Sequence, residues 1–415
     1  MAPARLDKFS QINLADPEIV DNPYGFYDRL RAESPIFWSD TLWGGAWVFT
    51  SYEDVQSLLR DSQRLSNARF RGIVDQLPDE SKGDFDTLIN LHSRWMVFFD
   101  PPKHTRLRKL LSRGFTGEVL DKVRPFVTHL VDELLDAFQA AGEADLIHDY
   151  ARVITINTIA EVLGVERRDR DTFTRWSQTI AAYMGSEKFN LDLMTRAQQS
   201  LVEFEDYFRV VIAERRSRPV KNDLLSVLIA AEEDGDILTE EELLSQCVLI
   251  LFAGNETTKN LIGNGIYALL NHPDQLALLR REPSRITNAV EEILRFESPV
   301  QFARRVVKED FEYKGNPIRK GQVVSLVVGA ANYDVERYPD PYRLDITRPD
   351  IRHLSFGQGI HYCLGQNMAR IEGQAAIGRL VDRLSNLRLT IKDFEWLSNP
   401  GFRGLKSLRV AFERQ

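Results

Sequence analysis

The chain has 415 residues, 53 Lys+Arg against 61 Asp+Glu for a net charge of −8, 43% hydrophobic residues and two cysteines. Its length predicts either two or three domains or one large helical one, and its acidic balance argues against a nucleic-acid binder, which needs clustered positive charge. Two cysteines exclude a disulfide framework or a four-cysteine zinc site and fit a reducing compartment.

The first residues lack a basic cap followed by an apolar run, and nowhere do about 18 apolar residues follow one another. No signal peptide and no membrane span are expected, and a cytoplasmic location is. Residues 46–50 read as a short strand and 53–60 as a helix. From 118 to 270 apolar residues recur at three- and four-residue spacing, as at Phe126, Leu130, Leu134 and Leu135, which predicts helix throughout. Thr239-Glu-Glu-Glu242 has the form of a capping box, and Pro273 is the next proline. A helix over 239–270 would be about 48 Å long at about 1.5 Å per residue. Its apolar middle, 247–253, predicts that it crosses the core of a large domain. The last third predicts a strand at 322–328, an irregular stretch over 332–355, a helix from Leu364 and a β pair near 387–394 and 405–412. The expected class is mainly α with small β-sheets, with residues 1–415 as one large domain.

Four segments carry chemistry. In Phe356-Gly-Gln-Gly-Ile-His-Tyr-Cys-Leu-Gly365 a lone cysteine precedes a helix start, where backbone N–H groups and the helix dipole can hold a thiolate. Glycines 357, 359 and 365 would let the backbone pass close to something flat and bulky. Ala253-Gly-Asn-Glu-Thr-Thr258 is a poor choice for mid-helix stability. It makes sense where a small ligand must approach the backbone and protons must be passed. Glu292 and Arg295, three apart on a helix, can pair. Residues 103–113 hold Lys and Arg but no acid, and His104 and Arg108 share one side of a helix at i and i+4. Cys247, on an apolar helix face, reads as core. Phosphate-binding, dinucleotide-binding, zinc-protease and serine-elbow motifs are missing, and cysteines are too few for iron–sulfur modules.

The cysteine segment resembles the haem-binding signature of the cytochrome P450 superfamily, Phe-Gly-x-Gly-x-His-x-Cys-x-Gly. The likeness to soluble bacterial members runs from Asn22-Pro-Tyr-Gly-Phe-Tyr27 to the terminal β segment. It implies the fold of that family and haem b (iron protoporphyrin IX) as cofactor. By this resemblance Cys363 is the iron ligand, Phe356 packs near its sulfur, Gly365 closes the loop and His361 reaches a propionate. His104 and Arg108 match the family's propionate pair, and Arg305 fits a further propionate contact, with Arg304 as the alternative. Gly254 would leave room for dioxygen, with Glu256 and Thr257 as the acid–alcohol pair for proton delivery and Thr258 as a structural neighbour. Glu292, Arg295 and Arg348 match a structural salt-bridge cluster. An apolar substrate pocket is expected from Met96, Val97 and Phe98, from Leu249 and Ala253, and from Val300 and Phe302, with 181–194 as a lid. Tyr333 stands where the family often has arginine, and Leu344 where it often has phenylalanine.

The implied activity is monooxygenation of an apolar organic substrate in bacterial secondary metabolism, such as polyketide, macrolide or fatty-acyl tailoring, with the substrate free or carrier-bound. Electrons must come from a ferredoxin or flavodoxin and its NAD(P)H-dependent reductase, docking near the acid-free segment 103–113. A monomer without membrane or nucleic-acid partner is expected. The rival readings are a peroxide-driven peroxygenase, a haem-thiolate isomerase or dehydratase, and a non-catalytic haem scaffold that recruits a carrier protein. Each predicts loss of the acid–alcohol pair, and Glu256–Thr257 is present.

Overall fold

The computed structural model describes residues 9, 11–13, 16–68, 83–184, 190–217, 223–233, 236–391 and 394–413. The chain divides into two compact units: Met1–Ala68 with Asn264–Cys363 and Lys392–Lys406, and Arg69–Gly263 with Leu364–Ile391 and Ser407–Gln415.

The first unit holds a five-stranded sheet in the order Ile36–Ser39, Ala46–Phe49, Val323–Val327, Phe302–Val307, Leu65–Ser66. Val323–Val327 runs parallel to Ala46–Phe49, with Val323 opposite Ala46, and antiparallel to Phe302–Val307, with Val324 opposite Arg305. Such a central strand is buried on both faces, which explains its apolar run, interrupted only by the buried Ser325. Trp47, Phe49, Val324 and Leu326 pack there with Val55, Leu58 and Leu59 of the helix Tyr52–Arg60. That helix starts where the Ser51 hydroxyl accepts the Asp54 N–H at 3.3 Å. Alternation along Phe302–Val307 puts Phe302 and Arg304 on one face and Ala303 and Arg305 on the other.

The second unit is helical, built on Lys103–Ser112, Gly117–Ala141, Arg152–Val162, Arg170–Met184, Leu191–Ser217, Leu224–Ala230 and Gln366–Arg383. Gly117–Ala141 ends at Gly142, whose φ of 80° lets its N–H return to the Phe138 carbonyl. It is tied to Gln366–Arg383 by Asp132, which takes Arg379 in a fork at 2.7–2.9 Å and Arg383 at 3.2 Å.

The predicted long helix exists as Glu240–Asn271. Its start is a true capping box: the Glu242 N–H donates to the Thr239 hydroxyl and the Thr239 N–H to the Glu242 carboxylate, both at 3.1 Å. Pro273 begins the next helix, Pro273–Arg281. One expectation needs correction and one needs extending. Continuous helix over 118–270 is broken by the strand Glu143–Asp145 and by the small hairpin Glu232–Glu233/Asp236–Ile237. The terminal β pair forms, with Arg388 opposite Ala411, but Arg409–Ala411 also pairs with Glu143–Asp145. A three-residue strand leaves no periodicity to read, so tertiary pairing alone reveals it.

Candidate active site

The cysteine loop is a rigid turn. The Cys363 N–H donates to the Phe356 carbonyl at 2.9 Å, the Gly357 N–H to Leu354 at 2.8 Å and the Tyr362 N–H to Gly359 at 3.1 Å. Gly357 and Gly359 have φ of 69° and 71°, and a Cβ on Gly359 would meet the Arg60 Cα and the Leu59 carbonyl at 3.0 Å, so both positions demand glycine. Gly365 does not: its φ is −85° and a Cβ there would only touch Phe115 at 3.9 Å. It caps Gln366–Arg383, accepting the Ala369 N–H at 3.0 Å. The Phe356 ring lies 5.4 Å from His353 and 6.5 Å from Tyr362, and His361 is half-buried in the same turn. The two thiols differ in kind. Cys247 is sealed in core, and burial pushes its thiol up to about 12, which rules it out as a thiolate donor at neutral pH. Cys363 is only half-buried, so a single thiol suits a soft metal centre, as a haem-thiolate cofactor requires.

The middle of the long helix is buried on most sides, yet a stripe is open. Leu249, Glu256 and Thr257 are half-buried and Ala253 is exposed, at helical spacing on one side, while half-buried Gly254 turns about 100° away from Ala253 toward Ile159. An uncovered stripe inside a core helix is what a bound planar cofactor and its ligand need. The Thr257 hydroxyl donates to the Ala253 carbonyl at 2.7 Å. The Glu256 carboxylate is held by Lys259 at 2.7 Å, one turn on, with both side chains largely buried. Gly254 serves packing as well as access, because a Cβ there would lie 2.8 Å from Ile159 Cδ1. Asn255, buried, accepts the Thr155 hydroxyl at 2.7 Å and donates to Ser177, anchoring this turn to two neighbouring helices. Thr258 is buried.

His104 and Arg108 share the helix Lys103–Ser112, with His104 buried and Arg108 half-buried. Burial first, and then the Arg108 cation, lower the His104 imidazole to about 4, against a smaller opposing pull from Asp100. It is neutral at pH 7, so it can offer an anion a hydrogen bond while Arg108 supplies the charge. Arg305 is buried and donates to Asn67 at 3.0 Å, whereas Arg304 lies over the Trp43 ring at 3.9 Å. The acid-free segment 103–113 is not acid-free in space. Arg106 is bonded to Asp236 and, at 2.7 Å, to Glu242.

The expected pocket residues separate. Val97 is half-buried, but Met96 and Phe98 are core, with Phe98 stacked at 5.8 Å on Trp95, which stacks on Phe252. Val300 is half-buried and bridges to Phe402. Phe302 packs edge-on against Tyr27 at 6.3 Å, on the sheet face opposite Arg305, because strand alternation turns it away. Of the expected lid, residues 185–189 lie outside the described residues; its flanks end the helix Arg170–Met184 and begin Leu191–Ser217.

Glu292, Arg295 and Arg348 do meet. Arg295 grips Glu292 through Nε and Nη2 at 2.8 Å each, and Arg348 Nε stands 3.3 Å from both carboxylate oxygens. The remaining Arg295 donors reach the carbonyls of Asn332, Pro341 and Arg343. Tyr333, in the place of the family's arginine, stacks on Tyr24 at 4.2 Å and donates to the Phe296 carbonyl at 2.7 Å. Leu344 is buried.

Sequence reading missed Lys259, although a Glu-x-x-Lys spacing was there to find. It also missed Glu372 on Gln366–Arg383. This carboxyl is fully buried, has no hydrogen-bond partner among the described residues, and is pushed well above the usual carboxylate range by burial. No local pattern signals it. No cluster of metal-ligating side chains exists among the described residues, and no helix there is long and apolar enough to cross a membrane.

The sequence model described as Cytochrome P450 matches residues 12–392. The biotin biosynthesis cytochrome P450 of Bacillus subtilis (strain 168) is 39% identical over 401 residues, covering 96% of this chain and 98% of that relative. The 6-deoxyerythronolide B hydroxylase of Saccharopolyspora erythraea is 37% identical, covering 94% and 96%. The crystal structure of P450BioI in complex with hexadec-9Z-enoic acid ligated acyl carrier protein superposes with a TM-score of 0.87 at 37% identity, covering 95% of this chain and 99% of that one.

Proposed function

The chain belongs to the cytochrome P450 family, and from that premise we propose that it inserts one oxygen atom of O2 into an apolar biosynthetic intermediate, by hydroxylation or epoxidation. It is a haem-thiolate monooxygenase of that family; haem b is the form we propose. The observation that carries the reading is the half-buried Cys363 on its glycine-shaped turn, with the other thiol sealed in core.

When bound, the haem supplies oxygen activation at a thiolate-ligated iron. Cys363 would provide the thiolate, and the Phe356 carbonyl fixes its backbone. Arg108, Arg305 and His361 would bind the propionates, with His104 donating a hydrogen bond from a neutral ring. Thr257 would deliver its Oγ1 proton only after its hydroxyl turns from the Ala253 carbonyl. Glu256, held in place by Lys259, would relay a proton from solvent to replenish it. Leu249, Ala253, Val97 and Val300 would orient an apolar substrate and exclude water.

For the substrate class, the relatives act in biotin, polyketide and macrolide biosynthesis by their names, and one is captured with an acyl carrier protein. We therefore favour an acyl or polyketide chain, free or carrier-bound, with electrons from a ferredoxin or flavodoxin and its NAD(P)H reductase in the cytoplasm. Titrating free acids, macrolactones and acyl carrier protein conjugates while reading the low- to high-spin Soret shift tests this. Product formation with NAD(P)H and a ferredoxin system is expected. Turnover with hydrogen peroxide alone would favour the peroxygenase.

A further inference from the structure

On the second unit, Gly117–Ala141, Arg152–Val162 and Arg170–Met184 enclose a groove of about 510 Å3. Its apolar lining is Phe126, Leu130, Val153 and Ile156. The charges that line it are nearly all accounted for. His129 and Glu133 pair at 3.3 Å, and Arg170 lies over Phe126 at 5.7 Å while bonding Asn157 at 2.6 Å and Glu161 at 3.0 Å. Asp171 is exposed, where water and salt screen it. Arg152 differs. It is half-buried and lines the groove, yet its guanidinium makes no ion pair or side-chain hydrogen bond among the described residues. A guanidinium has five donors in a planar fork that matches a carboxylate, and arginine withdrawn from water is ordinarily paired. The groove's volume lies within the range of small-molecule sites, which are apolar with a few fixed polar groups.

We propose that this groove is a second binding site, for an alkyl carboxylate, with the head group on Arg152 and the chain along Phe126, Leu130, Val153 and Ile156. An anionic head is chosen because Arg152 is half-buried without a side-chain partner among the described residues, whereas the groove's carboxylates, Glu133 and Asp171, are exposed to solvent. An alkyl body fits because Phe126, Leu130, Val153 and Ile156 form the apolar part of the wall, beside the polar part made by residues such as Asn157 and Thr174. The site belongs to the second unit by itself and does not depend on the oxygenase chemistry.

The test is calorimetric titration of dodecanoate into holoenzyme whose iron is first saturated with 4-phenylimidazole, so that a haem pocket cannot compete. One equivalent should bind with the Soret band of the azole complex unchanged. Arg152→Gln should weaken that binding at least tenfold, Leu130→Asp should weaken it as well, and dodecanol should bind at least tenfold more weakly than dodecanoate. The proposal is overturned if the azole-blocked enzyme takes up no dodecanoate, if uptake displaces the azole, if Arg152→Gln binds like the parent, or if dodecanol binds equally well. The ferrous–carbon monoxide spectrum of the same preparation reports haem-thiolate ligation separately, so failure of this site and failure of the oxygenase reading are distinguishable.

Discussion

Replacing Arg295 with methionine removes a cation that has no contact with water and leaves Glu292, also fully buried, with Arg348 at 3.3 Å as its remaining cation and the Asp345 N–H at 3.0 Å. Losing one partner of a buried ion pair costs roughly 3–5 kcal/mol. Two carbonyls, of Asn332 and Pro341, lose the Arg295 donor as well, while that of Arg343 keeps Arg348 Nη2 at 3.3 Å. Each buried acceptor left unmade adds on the order of 1 kcal/mol, and because Arg348 still faces Glu292 the lower end of the sum, about 5 kcal/mol, is expected. At roughly 2.1 cal/mol/K per residue, the melting entropy of the whole chain is about 0.9 kcal/mol/K. The variant should therefore melt about 6 °C lower in a calorimetric scan, and lower still if the first unit melts alone. Arg348→Lys keeps a charge beside Glu292 but not the fork that serves Pro339 and Asp340, so it should cost less. The double variant Glu292→Gln/Arg295→Met should cost less than the sum of the singles by at least about 1 kcal/mol, since Glu292 and Arg295 no longer strand each other and only Arg348 loses a charge partner. A loss below about 1 kcal/mol for Arg295→Met, or strict additivity, would refute the argument that this cluster holds the segment 332–348.

Cys363→Ser should abolish the red-shifted ferrous–carbon monoxide band of a thiolate haem, and its persistence would remove Cys363 as ligand. Lys259→Met frees the Glu256 carboxylate and should raise peroxide released per NAD(P)H several-fold with substrate spin-shift affinity unchanged, while Lys259→Arg restores the ratio; equal ratios in all three would leave the pair without a role in proton delivery. His92 is buried and lowered from 6.5 to about 4 by desolvation, so its contribution is complete above pH 6.5 and is lost as pH falls toward 4, roughly 3 kcal/mol in all. His92→Gln should flatten stability against pH across that window, and an unchanged slope in denaturant titrations would refute it. Glu372 is held neutral by burial, so its ionisation in the unfolded chain favours unfolding increasingly above the ordinary carboxylate range. Glu372→Gln should therefore stabilise at pH 8 and do little at pH 4; equal effects at both would show that the carboxyl is already ionised when folded.

What the sequence determined by itself is local. The long helix could be read to within a residue or two because its capping box closes across three residues and its stop is the next proline, both within a single turn of chain. The cysteine turn was legible for the same reason: Gly357 and Gly359 are dictated by the backbone angles of their own loop. So was the pairing of Glu292 with Arg295, three residues apart on one helix. The tertiary structure decided everything that depends on a partner far away in the chain. Strand order set Val323–Val327 between Ala46–Phe49 and Phe302–Val307, and that register turned Phe302 onto the face opposite Arg305. Depth of burial, which no residue pattern encodes, made His104 a neutral ring and gave Glu372 its proton. Charge balance followed the same rule: Arg106 reads as part of a basic run, yet folding brings Asp236 and Glu242 to it. A hydrogen bond within one turn is specified by the residues that make it, whereas the desolvation and pairing of a charge are set by whatever the rest of the chain packs around it.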